Sequence, residues 1–424
     1  MTFDINRREL VKALGAFGGA AAIGSLAAPS RAQGGPIRLG LIAPLSGSQE
    51  IVGRYQLAGA TIAVNQINQA GGILGRQVEL VTRDDKANPA AGVAASKDLA
   101  GSGVNLMFGI LSSGVALAVA PTLADDKSVL VVSAAAANEL THEQYTRNVF
   151  RSADHAYARQ RALAKLVLAD FPDTLNWTAI NPQTAIGASN WDSFVDGIAQ
   201  YSQEAGKPAE ITEALWTKFG ATDYKNEISQ LMRSKSEGLY CGVYGGDAVT
   251  MFGQAAAYGL TKKFKVIVDP GSEFIIANAM GKNTPPGLWS GFHWYHGAYE
   301  GHKINDDLYN AYVKETNDPH PAGYVGETHT SVLAYASAIQ KAGSTETDAV
   351  IAALEDLEFD SCKGMRKIRK EDHQAICDLN FVQFGPDEGS DKGWKVTGHR
   401  IIKDEGVSEA PTPGVPIVFK NKKA

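Results

Sequence analysis

Apolar and polar positions alternate along this chain in two registers, short β-rich runs and longer stretches with helical spacing, from residue 37 almost to the end. IRLGLIAPL, from Ile37, is a near-continuous apolar run and predicts a buried strand. A helix is predicted over 53–69, closed by Gly71-Gly72. QVELVTRDD then precedes a helix over 89–99, VNLMFGI leads through Leu111-Ser112-Ser113 into a helix starting near Gly114, and VLVVSA enters Ala135-Ala136-Ala137. A second series follows with the same cadence: helix 157–170, strand WTAINPQ, helix 191–201, strand ITEALWTK, helix 224–232, strand GLYCGVYG, helix 249–258 and strand FKVIVDPG. Strands that alternate with helices predict parallel sheets. Two such series predict two doubly wound, Rossmann-like α/β lobes rather than one large sheet.

From Gly287 the cadence changes. A long aromatic strand, LWSGFHWYHGAY, precedes helices over 306–315, 326–341 and 347–357, and a β-rich tail runs through MRKIRK, LNFVQFG and WKVTGHRII. This late material is expected to complete the earlier sheets. Lobe one would then comprise 36–152 and 287–375, and lobe two 153–286 and 376–424, joined by a hinge crossed several times.

Residues 1–32 read as an export signal rather than as fold. Arg7-Arg8 precede a glycine- and alanine-rich apolar run from Ala13 to Ala28, and Ser30 and Ala32 place small residues ahead of Gln33. The paired arginines resemble a twin-arginine signal, which would place the mature chain in the periplasm. The run is shorter than the ~20 apolar residues that span a bilayer, which argues against an anchor.

Composition adds bounds. With 424 residues, 44% hydrophobic and 20% charged, the chain is ordinary soluble material. Domains of about 100–200 residues again suggest two lobes. A net charge of -6 gives no support to a nucleic-acid partner. Of the three cysteines, Cys241 lies in an apolar run and reads as buried. Cys362 and Cys377 flank KGMRKIRKEDHQAI and could pair in an oxidising compartment. They lack the further ligands of a zinc site.

Catalytic and cofactor motifs fail one by one. No GxGxxG follows the first strand, Gly281-Lys282 is followed by Asn283 rather than a hydroxyl residue, and no GxSxG supplies a nucleophile elbow. His142-Glu143 lacks the second histidine of a zinc protease. His293, His296 and His302 cluster in sequence, but at strand spacing His293 and His296 face opposite ways. Asp84-Asp85 and Asp125-Asp126 read as caps or solvated faces. Neither a cofactor nor an enzymatic activity is expected.

The turns after the strands carry the binding chemistry. Ser112 and Ser113 sit where a strand turns into a helix, so a hydroxyl and free amide hydrogens can face an anion. Ala134, Ala135 and Ala136 occupy the next turn, where small side chains let a ligand approach the backbone. A helix terminus contributes up to ~2 kcal/mol when partly buried.

The segment IRLGLIAPLSGSQEIVGRYQLAGATIAVNQINQAGGILGRQVELVTRDD, with FGILSSGVALAVAP, VVSAAAANELT and AVTMFGQAAAYGL, resembles the leucine/isoleucine/valine-binding family of periplasmic receptors. The resemblance covers nearly the whole mature chain. It implies a type I periplasmic binding fold, a small organic ligand between the lobes, a monomer, and the membrane permease of an ABC transporter as partner. The family's carboxylate-holding positions fall on Ser113 and the Ala134–Ala136 turn. Its lobe-one aromatic falls near Val52, its stacking tyrosine at about Ile186, and its ammonium-neutralising acid near Gly271, with Asp269 or Glu273 as substitutes. Tyr244 is retained. DHAYARQ resembles a stretch of relatives that take up aromatic acids, which implies Tyr157 at the cleft. Without an acid in the family position, the resemblance favours a hydrophobic or aromatic carboxylate. Branched-chain amino acids, short amides or urea, and a sensing role without transport are the alternatives.

Overall fold

The computed structural model describes residues 34–404 and 406–421. The export-signal reading of 1–32 lies outside the described residues. None of the described helices is long and apolar enough to cross a membrane.

The first lobe is wound around β1 (Ile37–Ala43), whose parallel neighbours are β2 (Val78–Asp84) and β3 (Leu106–Gly109). Beyond β3 lie β4 (Val129–Val132) and β5 (Val149–Arg151), giving the order β2-β1-β3-β4-β5. Helices α1 (Glu50–Gln69), α2 (Pro89–Gly101) and α3 (Ser113–Val119) connect the first strands. β3 and β4 are buried at every position, as expected of strands covered on both faces.

After β5 the chain crosses to the second lobe through α4 (Ala156–Asp170). There β6 (Asn176–Pro182), α5 (Ala185–Glu204), β7 (Glu210–Ile211), β8 (Leu215–Thr217), α6 (Lys225–Arg233), β9 (Gly238–Cys241), α7 (Gly245–Ala255), α8 (Leu260–Lys263), β10 (Val266–Asp269), α9 (Phe274–Met280) and β11 (Leu288–Phe292) follow in turn. The single strand expected in ITEALWTK is two short ones, and α5 starts ahead of its expected 191. Thr184 caps it by accepting from the Gly187 amide at 3.1 Å, which puts Ile186 in the first helical turn.

The aromatic run from Leu288 is a strand only as far as Phe292. The His293 amide is withdrawn from the ladder and donates instead to the Glu273 carboxylate at 2.8 Å. β11 pairs with β10, so the chain returns to lobe one after 292 rather than at 287. The returning helices are α10 (Lys303–Thr316), α11 (Tyr324–Ala342) and α12 (Thr347–Leu354). α11 packs on α1, and its closeness needs Gly59, where a Cβ would lie 2.1 Å from the Val325 carbonyl oxygen. Tyr335 of α11 is fully buried against the first sheet, donating to the Met107 carbonyl at 2.6 Å.

A small sheet of β12 (Glu358–Ser361), β13 (Gly364–Ile368) and β14 (Ala375–Ile376) precedes the last crossing. β15 (Leu379–Pro386) and β16 (Trp394–Ile402) then add antiparallel strands to β11 at the edge of the second sheet. The result is two α/β lobes, each built on a parallel sheet, with the chain passing between them after Arg151, Phe292 and Ile376.

Cys362 and Cys377 are free, buried thiols, so the pairing held open from the sequence does not form. The β13–β14 register, carried on one residue from Lys367↔Ile376, sets Cys377 beside Arg366, whereas Cys362 lies in the turn joining β12 to β13. Burial pushes both thiols up to about 12.

Candidate ligand-binding site

The lobes stand face to face at the carboxyl ends of their strands, where open α/β sheets bind ligands. Across the junction the Asn138 amide reaches Ser189 Oγ at 3.3 Å, Ser189 donates to Glu139 at 2.9 Å, and Gln49 Nε2 reaches Asp247 at 3.3 Å. A Cβ on Gly246, at the start of α7, would lie 1.9 Å from the Ser48 carbonyl oxygen. Val52, Leu111, Ala134 and Tyr324 of lobe one form an apolar cluster with Ile275 and Tyr244 of lobe two. These contacts describe a closed form.

Enclosed between the lobes is a crevice of about 40 Å³. Leu111, Ala134 and Ala136 line it from the strand ends of lobe one, with Tyr324 from α11. Ala156 and Arg159 face it from α4, Ile186 and Asn190 from α5, and Tyr244, Pro270, Gly271 and His293 from the turns of lobe two. A larger cavity of about 640 Å³, rimmed by Arg38, Arg76, Lys127 and Arg147, opens at the other end of the first sheet, near the starts of β1 and β3. That is the wrong end of the strands for an α/β ligand site.

Electrostatics in the crevice are set by Arg159. Its Nε donates to Asp154 Oδ2 at 2.7 Å and its Nη2 to Asp154 Oδ1, a two-pronged pair in which both residues are buried. The guanidinium, against the opposing effect of burial, holds the Asp154 carboxyl well below the usual range. Among the described residues Nη1 has no protein partner. It lies 2.8 Å from the position a Cβ on Gly271 would take, so it is presented at the crevice wall.

The acids of lobe two do not face the crevice. Asp269 accepts from the Ser272 amide at 2.7 Å and from the Ser290 hydroxyl, and burial pushes it up to about 6. Glu273 is fully buried behind the wall, where it accepts from the His293 and Gly323 amides. Burial outweighs those bonds and pushes it up to about 8.

The residues expected from the sequence are divided by this geometry. Ala134, Ala136, Ile186, Tyr244 and Gly271 are on the wall. Ala135 faces the core of lobe one, and its amide donates to the Ile110 carbonyl at 3.1 Å. Ser113 Oγ accepts from the Ala137 amide at 3.2 Å, so it ties the two turns together, and Leu111 rather than Ser112 or Ser113 lines the crevice. Val52 is buried behind Leu111 and Ala134. Tyr157 is turned about 100° around α4 from Ala156. Its ring lies 6.1 Å from Phe419 of the C-terminal segment and 5.0 Å from the Arg161 guanidinium. The three clustered histidines part company: His293 pairs with Glu273, His296 stacks on Tyr309, and His302 lies 3.2 Å from Asp360.

Sequence reasoning missed Arg159, Asn190 and Tyr324, whose hydroxyl donates to the Gly271 carbonyl at 2.9 Å, and it offered a single ligand contact from the histidine cluster without singling out His293. A signal for Arg159 existed: it follows Ala156 by three residues on one helix face, with an aspartate ahead of the helix to neutralise it.

Comparison with known proteins agrees with this architecture. The family model described as periplasmic binding protein matches residues 36–391. The Leu/Ile/Val-binding protein BraC3 of Rhizobium johnstonii is 28% identical over 321 residues, covering 76% of this chain and 83% of that one. Among solved structures, a solute-binding protein of an ABC transporter from Rhodopseudomonas palustris, in complex with 3,4-dihydroxy benzoic acid, superposes with a TM-score of 0.76 at 19% identity, covering 88% of this chain and 99% of that one. Another from R. palustris, in complex with benzoate, gives 0.75 at 18% identity, covering 88% and 99%. The chain belongs to the periplasmic binding protein family, as a non-enzymatic binding protein whose place is outside the cytoplasm.

Proposed function

We propose that the crevice receives a small hydrophobic or aromatic carboxylate, and that the closed complex delivers it to the membrane permease of an ABC transporter. The observation that carries this reading is Arg159 Nη1, a buried cationic donor turned to the crevice with no ionised acid on the facing wall. An amino acid would bring an ammonium group as well, and a buried unpaired cation is costly. Asp154 is taken by Arg159 and Glu273 by two backbone amides, while Asp269, whose Oδ2 takes its Ser272 and Ser290 bonds and whose Oδ1 is buried and unmatched, is not among the residues lining the crevice. The two R. palustris relatives hold aromatic carboxylates that carry no ammonium.

Energies are consistent with such a guest. A charge-assisted hydrogen bond contributes about 1.5–3 kcal/mol. Micromolar capture needs about 8 kcal/mol. The remaining ~5–6.5 kcal/mol corresponds to roughly 200–260 Å² of apolar surface at ~25 cal/mol/Å², about one aromatic ring. Leu111, Ala134, Ala156 and Ile186 supply walls of that character. The crevice holds only about 40 Å³. A guest of that size therefore enters an opened form, and closure follows because only the closed form gives it both walls.

The test is a thermal-shift panel of benzoates, phenylpropanoids, branched-chain amino acids and amides, repeated with Arg159→Lys. Lysine keeps the charge for Asp154 but loses the second nitrogen. Carboxylates without an ammonium should raise the melting temperature of the parent protein, and the variant should lose most of that shift. A shift given only by branched-chain amino acids overturns the reading in favour of the function named for the R. johnstonii relative. Export by the twin-arginine route through Arg7-Arg8 belongs to the same proposal. A precursor with both changed to lysine should stay in the cytoplasm.

A further inference from the structure

The solute-binding role leaves one buried pair unused. His293 Nδ1 lies 2.8 Å from Glu273 Oε1, directly behind the crevice wall. His293 Nε2 is buried without a protein partner, and the residue is 3% exposed. The ring is part of the crevice wall beside Gly271. Its Cε1 lies 3.9 Å from the position of a Cβ on Gly271, and Arg159 Nη1 lies 2.8 Å from that same point. The guanidinium tip and the edge of the His293 ring, from different elements, thus approach one small volume at the wall.

We propose that His293, held by Glu273 in the form that carries its proton on Nε2, is the second donor to the ligand carboxylate beside Arg159, so that binding is coupled to a proton on the Glu273–His293 pair. The inference rests on the carboxylate reading above and deepens it. Glu273 accepts from two backbone amides, that of His293 on Oε1 and that of Gly323 on Oε2. Among the described residues, the neighbour placed to take a proton from it is therefore His293 Nδ1. Two states follow. When Glu273 is ionised, the ring proton sits on Nδ1 and Nε2 is a bare lone pair, which repels a carboxylate. When Glu273 is protonated it donates to Nδ1, and the neutral ring carries its proton on Nε2, which grips one.

The surroundings favour the second state near neutrality. Facing the pair are Arg159 and Asp154 from the start of α4, Asp269 from the end of β10, the Tyr324 hydroxyl from α11, and Lys363 and Arg366 from the β12–β13 hairpin. Lys363 donates to the His293 carbonyl at 2.8 Å, and Arg366 is bound in two prongs by Glu327. Burial and the nearby Arg159 keep the ring uncharged. Burial also lifts Glu273 to about 8, above neutral pH. A buried polar atom left unmatched is costly, so Nε2 calls for a partner from the guest.

Two measurements on the whole protein test this. In the free receptor, nitrogen NMR of labelled histidines, with His293 assigned by its loss in His293→Gln, should show Nε2 protonated at neutral pH and a change to Nδ1 centred near 8. An Nδ1-protonated ring at neutral pH overturns the proposal. Calorimetry with benzoate, which stays ionised throughout, should show binding weaker by up to about tenfold two pH units above neutrality. The proton uptake should appear as a dependence on buffer ionisation enthalpy. His293→Gln, whose amide donates at any pH, should flatten that profile. Binding that ignores pH in the parent protein overturns the proton coupling alone. No binding of benzoate at any pH, with the NMR change intact, overturns the carboxylate grip instead.

Discussion

Gly271→Ala is the sharpest perturbation of the site. The Gly271 backbone is outside the left-handed region, so alanine suits it, and the added methyl meets one atom closely: Arg159 Nη1 at 2.8 Å. The next atoms, the Gly291 carbonyl oxygen and His293 Cε1, stand at 3.9 Å, an ordinary contact. The tip of an arginine would usually move aside. Here Nε and Nη2 are both bound by Asp154, so Nη1 retreats only by loosening a buried ion pair. The methyl also occupies the point on which Nη1 and the His293 ring edge converge. The substitution should therefore remove the guanidinium's hydrogen bond to the ligand, worth about 1.5–3 kcal/mol. That is a roughly tenfold to hundredfold rise in Kd. Stability should change little, because the reduced freedom of the unfolded chain, worth about 0.4–1 kcal/mol, offsets part of the crowding. Calorimetry with the panel's tightest carboxylate and a melting curve on the same preparation read both quantities. Gly253→Ala is the control, since its Cβ would meet nothing within 4 Å and it lies inside α7. It should leave Kd unchanged and stabilise slightly. If Gly271→Ala binds within twofold of the parent, the carboxylate does not sit against Arg159.

Three further outcomes follow from buried groups. All three cysteines should resist an aromatic disulfide reagent in the folded protein, because burial holds Cys362 and Cys377 up to about 12 and raises Cys241 further. In denaturant three thiols should titrate, and a count of one would reinstate the Cys362–Cys377 bridge. His329 is held neutral by burial down to about 4, whereas in the unfolded chain it takes a proton below ~6.5. Its contribution is thus complete above ~6.5 and is lost as pH falls toward the folded value. Between pH 7.5 and 5 the parent should lose about 2 kcal/mol relative to His329→Gln in urea unfolding, and parallel curves would refute the assignment. Tyr157→Phe should leave Kd within twofold, since that ring lies against Phe419 and Arg161; a large loss of affinity would return Tyr157 to the ligand.

The lobes were legible because a strand covered on both faces must be apolar throughout, and β1, β3, β4 and β10 announce themselves that way. The point where LWSGFHWYHGAY ceases to be strand was not. It depends on the Glu273 carboxylate, 20 residues earlier in the chain, capturing the His293 amide. The site divides on the same principle. Ala134 and Ala136 could be found because a strand end that admits a ligand needs small residues, which is a local demand, whereas Gly271 comes from the resemblance, as the position of the family's acid. Arg159 left only the faint signal of an aspartate ahead of its helix, because its role is fixed by that aspartate in the lobe crossing and by a glycine on a distant turn. Tyr157 is implied by the resemblance of DHAYARQ, and finding Arg159 from the residues alone requires the phase of the helix. Phase is ordinarily read from the polar stripe of an amphipathic helix. α4 has almost none: Ala158, Arg159, Gln160, Arg161, Ala162 and Leu163 are consecutive and all buried. A helix whose first half is enclosed on nearly every side keeps little periodic record there of which face looks into a crevice. At such a helix the contacts of the folded chain, rather than spacing, decide which side chain meets the ligand.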